Sequence, residues 1–148
     1  MMALADRGLA LNPNYARGWH LSGLLRLLAG QPDVAIEHVQ TSMRLASRAR
    51  VGWGYAVIGW CHFAAGRYEQ AVSMLQLALD EDRIPVYFLG LASSYAHLGR
   101  LAEARNMLAA RPEGALATFT PAFVRSSRNS DYGARLVEGL RLAASSQT

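Results

Sequence analysis

The sequence predicts an all-α fold, an α–α superhelix of antiparallel helix hairpins closed by a C-terminal capping helix. Three observations carry that prediction. Three times an apolar, helix-compatible stretch of about 14 residues ends in a glycine that is followed five residues later by an alanine: Gly30 and Ala35, Gly66 and Ala71, Gly99 and Ala104. The glycines are spaced 36 and 33 residues apart, a period that marks stacked two-helix units. Half of the 148 residues are hydrophobic, enough for a sizeable core.

The turn chemistry has a plain cause. A tight reversal between helices needs one residue with a left-handed backbone, which glycine adopts without steric cost. The alanine in the next helix lets the two helices approach closely. Neither residue does chemistry, so function is expected on a surface.

Each element follows from local signals. A first helix covers residues 2–11 and stops at Asn12-Pro13-Asn14. A second runs from about Tyr15 to Leu28, with Asn14 the expected N-cap. Pro32 opens the third, where its missing N–H costs nothing, and Val34, Ala35, Val39, Met43 and Leu45 keep a helical period. The fourth spans about Gly52 to Ala65 and the fifth about Tyr68 to Leu79. Asp80-Glu81-Asp82 reads as a solvated linker, because the glycine and terminal glutamate of a calcium loop are missing. The sixth spans about Pro85 to Leu98 and the seventh about Leu101 to Ala110, stopped by Arg111-Pro112-Glu113-Gly114. Residues 115–130 are irregular, with apolar anchors such as Phe119 and Phe123. Ser130 is placed to cap a last amphipathic helix over about Asp131 to Ala143, with Tyr132, Leu136, Leu140 and Leu142 as its apolar positions.

Composition removes several function classes. No stretch reads as a membrane span, and residues 1–12 lack the apolar block of a signal peptide, so a cytoplasmic location is expected. The net charge is +4, from arginine without any lysine, which looks like a high-GC bacterial composition. The arginines are scattered rather than striped, so nucleic-acid binding is not expected. Cys61, the single cysteine, cannot form an internal disulfide and reads as a buried inert thiol. His20, His38, His62 and His97 lie on separate helices without a paired carboxylate at a diagnostic spacing. Gly52-Trp53-Gly54 lacks the remaining glycines of a phosphate loop. No nucleophile with its base can be assembled, so no enzyme, cofactor or metal is expected.

The repeats resemble tetratricopeptide repeats. Trp19, Gly23, Gly30, Ala35 and Val39 fit the family pattern in a unit over residues 16–51. Tyr55, Ile58, Gly59, Gly66, Ala71, Leu75, Ala78 and Leu79 fit it over 52–84. Phe88, Leu91, Tyr95, Gly99, Ala104 and Leu108 fit it over 85–112, and Leu9 and Pro13 fit the second half of a unit over 1–15. Ser22, Arg26, His62 and Ala92 depart from the pattern. The resemblance covers residues 1–112, with 113–148 a separate irregular segment and helix. Because the chain opens within a unit, it is expected to be the C-terminal part of a larger multidomain protein. Phe119, Pro121, Phe123, Tyr132 and the ending Glu138-Gly139-Leu140-Arg141 are similar to repeat regions that follow class III adenylate cyclase catalytic domains, although no cyclase motif is present.

The resemblance implies a protein-interaction or regulatory scaffold. Family register places Arg17, His20, Leu24, Leu27, Trp53, Trp60, Phe63, Leu89, Ser93 and His97 in an apolar, aromatic groove. Trp53 and Trp60, two helical turns apart, share one face of the fourth helix. The Lys, Arg and Asn set that clamps chaperone tails is missing. Two occupants compete: a protein or peptide partner, or the chain's own tail through Phe119, Phe123, Leu136 and Leu140. The second makes the chain a structural module, with Trp53 and Trp60 contributing to a homodimer face.

Overall fold

The computed structural model describes residues 1–46, 51–115 and 131–145. Among them are eight α-helices: α1 (Met2–Leu11), α2 (Ala16–Leu28), α3 (Pro32–Leu45), α4 (Val51–Ala64), α5 (Tyr68–Glu81), α6 (Pro85–His97), α7 (Leu101–Ala110) and α8 (Asp131–Ser145). The expected apolar anchors Phe119 and Phe123 and the expected N-cap Ser130 lie outside the described residues.

The three turn glycines have one conformation, φ 76° at Gly30, Gly66 and Gly99. Each carries the same pair of backbone bonds. At the central turn, Gly66 N–H donates to Phe63 O at 3.0 Å and Arg67 N–H donates to His62 O at 2.8 Å. This double closure satisfies carbonyls that the helix end leaves free. It links the Gly signal directly to the hairpins α2–α3, α4–α5 and α6–α7. The partner alanines Ala35, Ala71 and Ala104 are fully buried. Replacing Gly66 by Val is expected to cost about 1–3 kcal/mol, because a β-branched residue strains at positive φ. The exposed Gln70→Ala change should move stability by no more than about 0.5 kcal/mol. Thermal melts of the two variants check this, and equal melting temperatures would contradict it.

Close approach within hairpins uses a second set of glycines. A Cβ at Gly23 would stand 2.5 Å from Val39, and one at Gly59 would stand 2.8 Å from Leu75. The core runs continuously from Leu27 and Val39 through Phe63, Leu75 and Phe88 to Tyr132 and Leu136. Helices α4 and α6 are apolar nearly all round and are buried between hairpins.

Some boundaries differ from the sequence reading. Helix α2 begins at Ala16, and its N-cap Tyr15 makes no side-chain capping bond, so Asn14 is not the cap. Asp80 and Glu81 belong to the last turn of α5 rather than to a linker, and Asp82 follows as C-cap. The preceding Leu79 and Ala78 are buried, and that apolar anchoring holds the last turn despite acidic residues at the negative end of the dipole. Helix α8 runs two residues further than expected, to Ser145.

Three of the departures from the repeat pattern, Ser22, Arg26 and His62, take part in polar links. Ser22 Oγ and His38 Nδ1 are hydrogen-bonded at 2.9 Å between α2 and α3. Arg26 grips both carboxylate oxygens of Asp6 on α1 at 2.7 Å and also donates to Gln31. Arg67 Nε donates to His62 Nδ1 at 2.9 Å, while Nη2 reaches Asp33 of the preceding unit at 2.8 Å. His62 must accept here, because a guanidinium has no acceptor.

Candidate binding groove

Helix α8 packs along α6 and also touches α7 and α4. Its buried face is Tyr132, Gly133, Leu136, Gly139 and Ala143. Two of these are glycines, and Gly139 shows why. A Cβ there would lie 2.0 Å from Ser93 Oγ and 2.8 Å from Ser93 Cα. The helix therefore sits nearly backbone to backbone on α6.

That approach brings polar groups into register. Ser93 is fully buried, and its hydroxyl donates to Leu136 O at 3.0 Å. His97 Nε2–H donates to Arg135 O at 2.6 Å, since the carbonyl can only accept. The His97 ring lies flat on Tyr68, with centroids 4.6 Å apart.

Arg135 is the anchor. Its Nη1 donates to Phe63 O and to the Tyr68 hydroxyl, both at 3.0 Å, and its Nη2 donates to Ala64 O at 2.5 Å. Phe63 and Ala64 are the last residues of α4, so the guanidinium meets the negative end of that helix and satisfies carbonyls left free there. It also stands over the Phe63 ring. Phe63 itself is fully buried among Trp60, Tyr68 and His97.

The N-terminal side is different. A pocket of about 600 Å³ opens between α2, α3 and α4. Arg17, His20, Leu24 and Trp53 line it, with Leu21, Met43 and Val51 among the other walls. Trp53 is 45% exposed, and the His20 ring meets it edge-on at 6.3 Å between centroids. Gly54 lets the Met43 side chain lie against α4, where a Cβ would stand 2.5 Å from the sulfur.

The ten groove positions thus separate into three environments. Arg17, His20, Leu24 and Trp53 surround the pocket. Phe63, Leu89, Ser93 and His97 belong to the region beside α8, with the first three fully buried. Leu27 and Trp60 are core residues at 7% and 8% exposure, and the Trp60 ring packs where Gly90 leaves room on α6. Arg135 and Gly139 were not among the sequence candidates. A glycine and an arginine inside an amphipathic helix carry no periodic signal, and their partners lie up to 72 residues away.

The structure also forms one serine–histidine contact that the sequence did not bring together, Ser22 with His38. Ser22 is 1% exposed and His38 half-buried, so the pair links α2 to α3 with the hydroxyl itself held in the core. Burial pushes the Cys61 thiol up to about 12, which makes it a poor nucleophile. Among the described residues there is no cluster of His, Cys, Asp or Glu able to hold a metal, and no helix long and apolar enough to cross a membrane.

Burial, then the neighbouring Arg26 and Arg67, hold the imidazoles of His38 and His62 below the usual histidine range. The unfolded chain therefore binds more protons as pH falls below about 6.5, and stability falls with it. The melting temperature should drop between pH 7.5 and 5.5, and His62→Gln should flatten part of that slope. Glu103 and Glu138, held below the usual carboxylate range by Arg100 and Arg141, act at lower pH. A melting temperature constant over the histidine window would contradict these assignments.

Repeats of this geometry define a class. The tetratricopeptide repeat family matches residues 12–80, and the chain has an all-α superhelical fold of the tetratricopeptide type. Among solved structures it is similar to a crystal structure of MamA, 17% identical, covering 97% of this chain and 84% of that one with a TM-score of 0.65. A second MamA crystal structure matches at 17% identity, covering 96% of this chain and 78% of that one, with a TM-score of 0.64. YrrB, described as a tetratricopeptide-repeat protein with an unusual peptide-binding site, matches at 18% identity over 99% of this chain and 76% of its own, with a TM-score of 0.61. No curated protein matches the chain.

Proposed function

We propose that this chain is a protein-interaction scaffold whose binding face is divided. The half beside α6 is filled by the chain's own helix α8. The half between α2, α3 and α4 takes a segment of another protein. The single observation that carries this reading is the apolar pocket of about 600 Å³ with Trp53 half exposed on its wall. That volume is in the range of ligand sites and holds one or two large side chains. An aromatic side chain left open beside a rigid helical wall is the type of group on which interface energy concentrates.

The peptide-binding description of YrrB supports the same use of the fold. The tail's likeness to cyclase-linked repeats supports a regulatory setting within a larger protein, which the surrounding reading frame would test.

Homodimerisation through Trp53 is the competing reading, and light scattering separates the two. Under the scaffold reading the purified chain is monomeric at micromolar concentration. A random peptide library displayed on phage is then panned on the intact chain and on Trp53→Ala. Enrichment that depends on Trp53 is the expected result. Enrichment independent of Trp53, or a stable dimer that hides it, would overturn the reading.

A further inference from the structure

Resting on that reading of the pocket, we propose that its partner is a peptide segment in which a large aliphatic or aromatic side chain is flanked by a carboxylate. The walls supply the first half of this chemistry. Leu21, Leu24, Met43, Val51 and Trp53 form an apolar surface that gains from covering. Met43 is a flexible wall able to adjust to the side chain it meets.

Charge supplies the second half. Arg17 lines the pocket and is exposed, and among the described residues no aspartate or glutamate lines it. Four other arginines hold carboxylate partners: Arg26 with Asp6, Arg67 with Asp33, Arg100 with Glu103 and Arg141 with Glu138. Arg17 has no hydrogen-bond or ion-pair partner among the described residues. Its guanidinium presents a planar fork of donors suited to a carboxylate. The field of the whole chain has the same sign, with a net charge of +4. A phosphate backbone would call for several such cations in a row, whereas among the described residues one arginine borders the apolar floor. The complementary partner therefore inserts its apolar side chain against Trp53 and presents an adjacent Asp or Glu to Arg17.

The test uses the intact chain and the Trp53-dependent peptides from the displayed library. Their sequences should be enriched in Asp or Glu within about two positions of a large apolar residue. For an enriched peptide, titration calorimetry should show about tenfold weaker binding when that acid is changed to Gln, since the charge-assisted hydrogen bond to Arg17 is lost. Binding should weaken further with a Lys in its place, and with added salt. Arg17→Glu should reverse the preference, so that the Lys peptide binds better than the acidic one. Arg17 is exposed, so this variant keeps its fold, which circular dichroism checks.

Trp53-dependent peptides without acidic bias, or an acidic peptide indifferent to Arg17→Glu, would overturn this inference and leave the pocket as a binding site. Absence of any Trp53-dependent peptide would overturn both. Binding of a random oligonucleotide in competition with the enriched peptide would reassign Arg17 to phosphate and overturn the peptide chemistry.

Discussion

Replacing Phe63 by Ala is expected to destabilise the fold by about 3–5 kcal/mol, the usual cost of deleting a buried aromatic ring. The ring is fully buried and is the meeting point of Trp60, Tyr68 and His97. Removing it leaves a cavity bounded by α4, α5 and α6 and strips the aromatic platform from beneath the Arg135 guanidinium. The melting temperature should therefore fall by well over 10 °C, given that about 1 kcal/mol moves a domain of this size by several degrees. Phe63→Leu, which keeps much of the volume, should cost less than half as much. Leu77→Ala, at 44% exposure on α5, should lie within about 1 kcal/mol of the parent. Chemical denaturation measures all three, and a Phe63→Ala variant as stable as Leu77→Ala would contradict the packing described.

Replacing Gly139 by Val should dislodge α8. The new Cβ would fall 2.8 Å from the Cα of Ser93, and backbone cannot rotate away as a side chain tip can. Helix α8 must therefore move outward, which breaks the Ser93 and His97 bonds to its carbonyls and pulls Arg135 off the end of α4. Overpacking alone costs about 1–3 kcal/mol, and the buried Ser93 and the half-buried His97 and Arg135 lose their partners besides. The expected signs are faster proteolysis within residues 131–145, new binding of an apolar dye, and a lower melting temperature. The control is Val137→Ala on the exposed face of α8, which should change none of these. If Gly139→Val behaved like Val137→Ala, the close α6–α8 contact would be wrong.

The parts of this molecule that could be read in one dimension are those governed by local rules. Gly30, Gly66 and Gly99 announce themselves because a left-handed turn has few alternatives to glycine. The hairpin helices follow within one or two residues, since Pro32 and Pro85 begin helices and the turn motifs end them. Asn14 failed as a cap for the same local reason in reverse. It is a favourable capping residue one position too early, because the chain turns at Tyr15.

The binding face was less legible. Helices α4 and α6 are apolar on every side, so periodicity cannot tell a wall of the groove from the core between hairpins. Trp53 and Trp60 illustrate the limit: they share a helical face, yet one is half exposed and the other is packed beside Gly90. What separates them is the path of α2 and α6, a long-range property. Helix α8 was visible as an amphipathic segment, but its docking depends on Gly139, Arg135 and Ser93, whose meaning exists only once α6 and α4 lie beside it.

Hydroxyl-radical footprinting of the intact chain, read residue by residue by mass spectrometry, tests the divided face most directly. Trp53 should oxidise readily, as an open aromatic group on the pocket wall. Phe63, Tyr132 and Leu136 should be protected, because α8 is seated beside α6 and the end of α4. Protection of Trp53 equal to that of Phe63 would mean a closed pocket, and oxidation of Tyr132 and Phe63 as fast as Trp53 would mean an undocked α8. Either result would contradict the division of the groove.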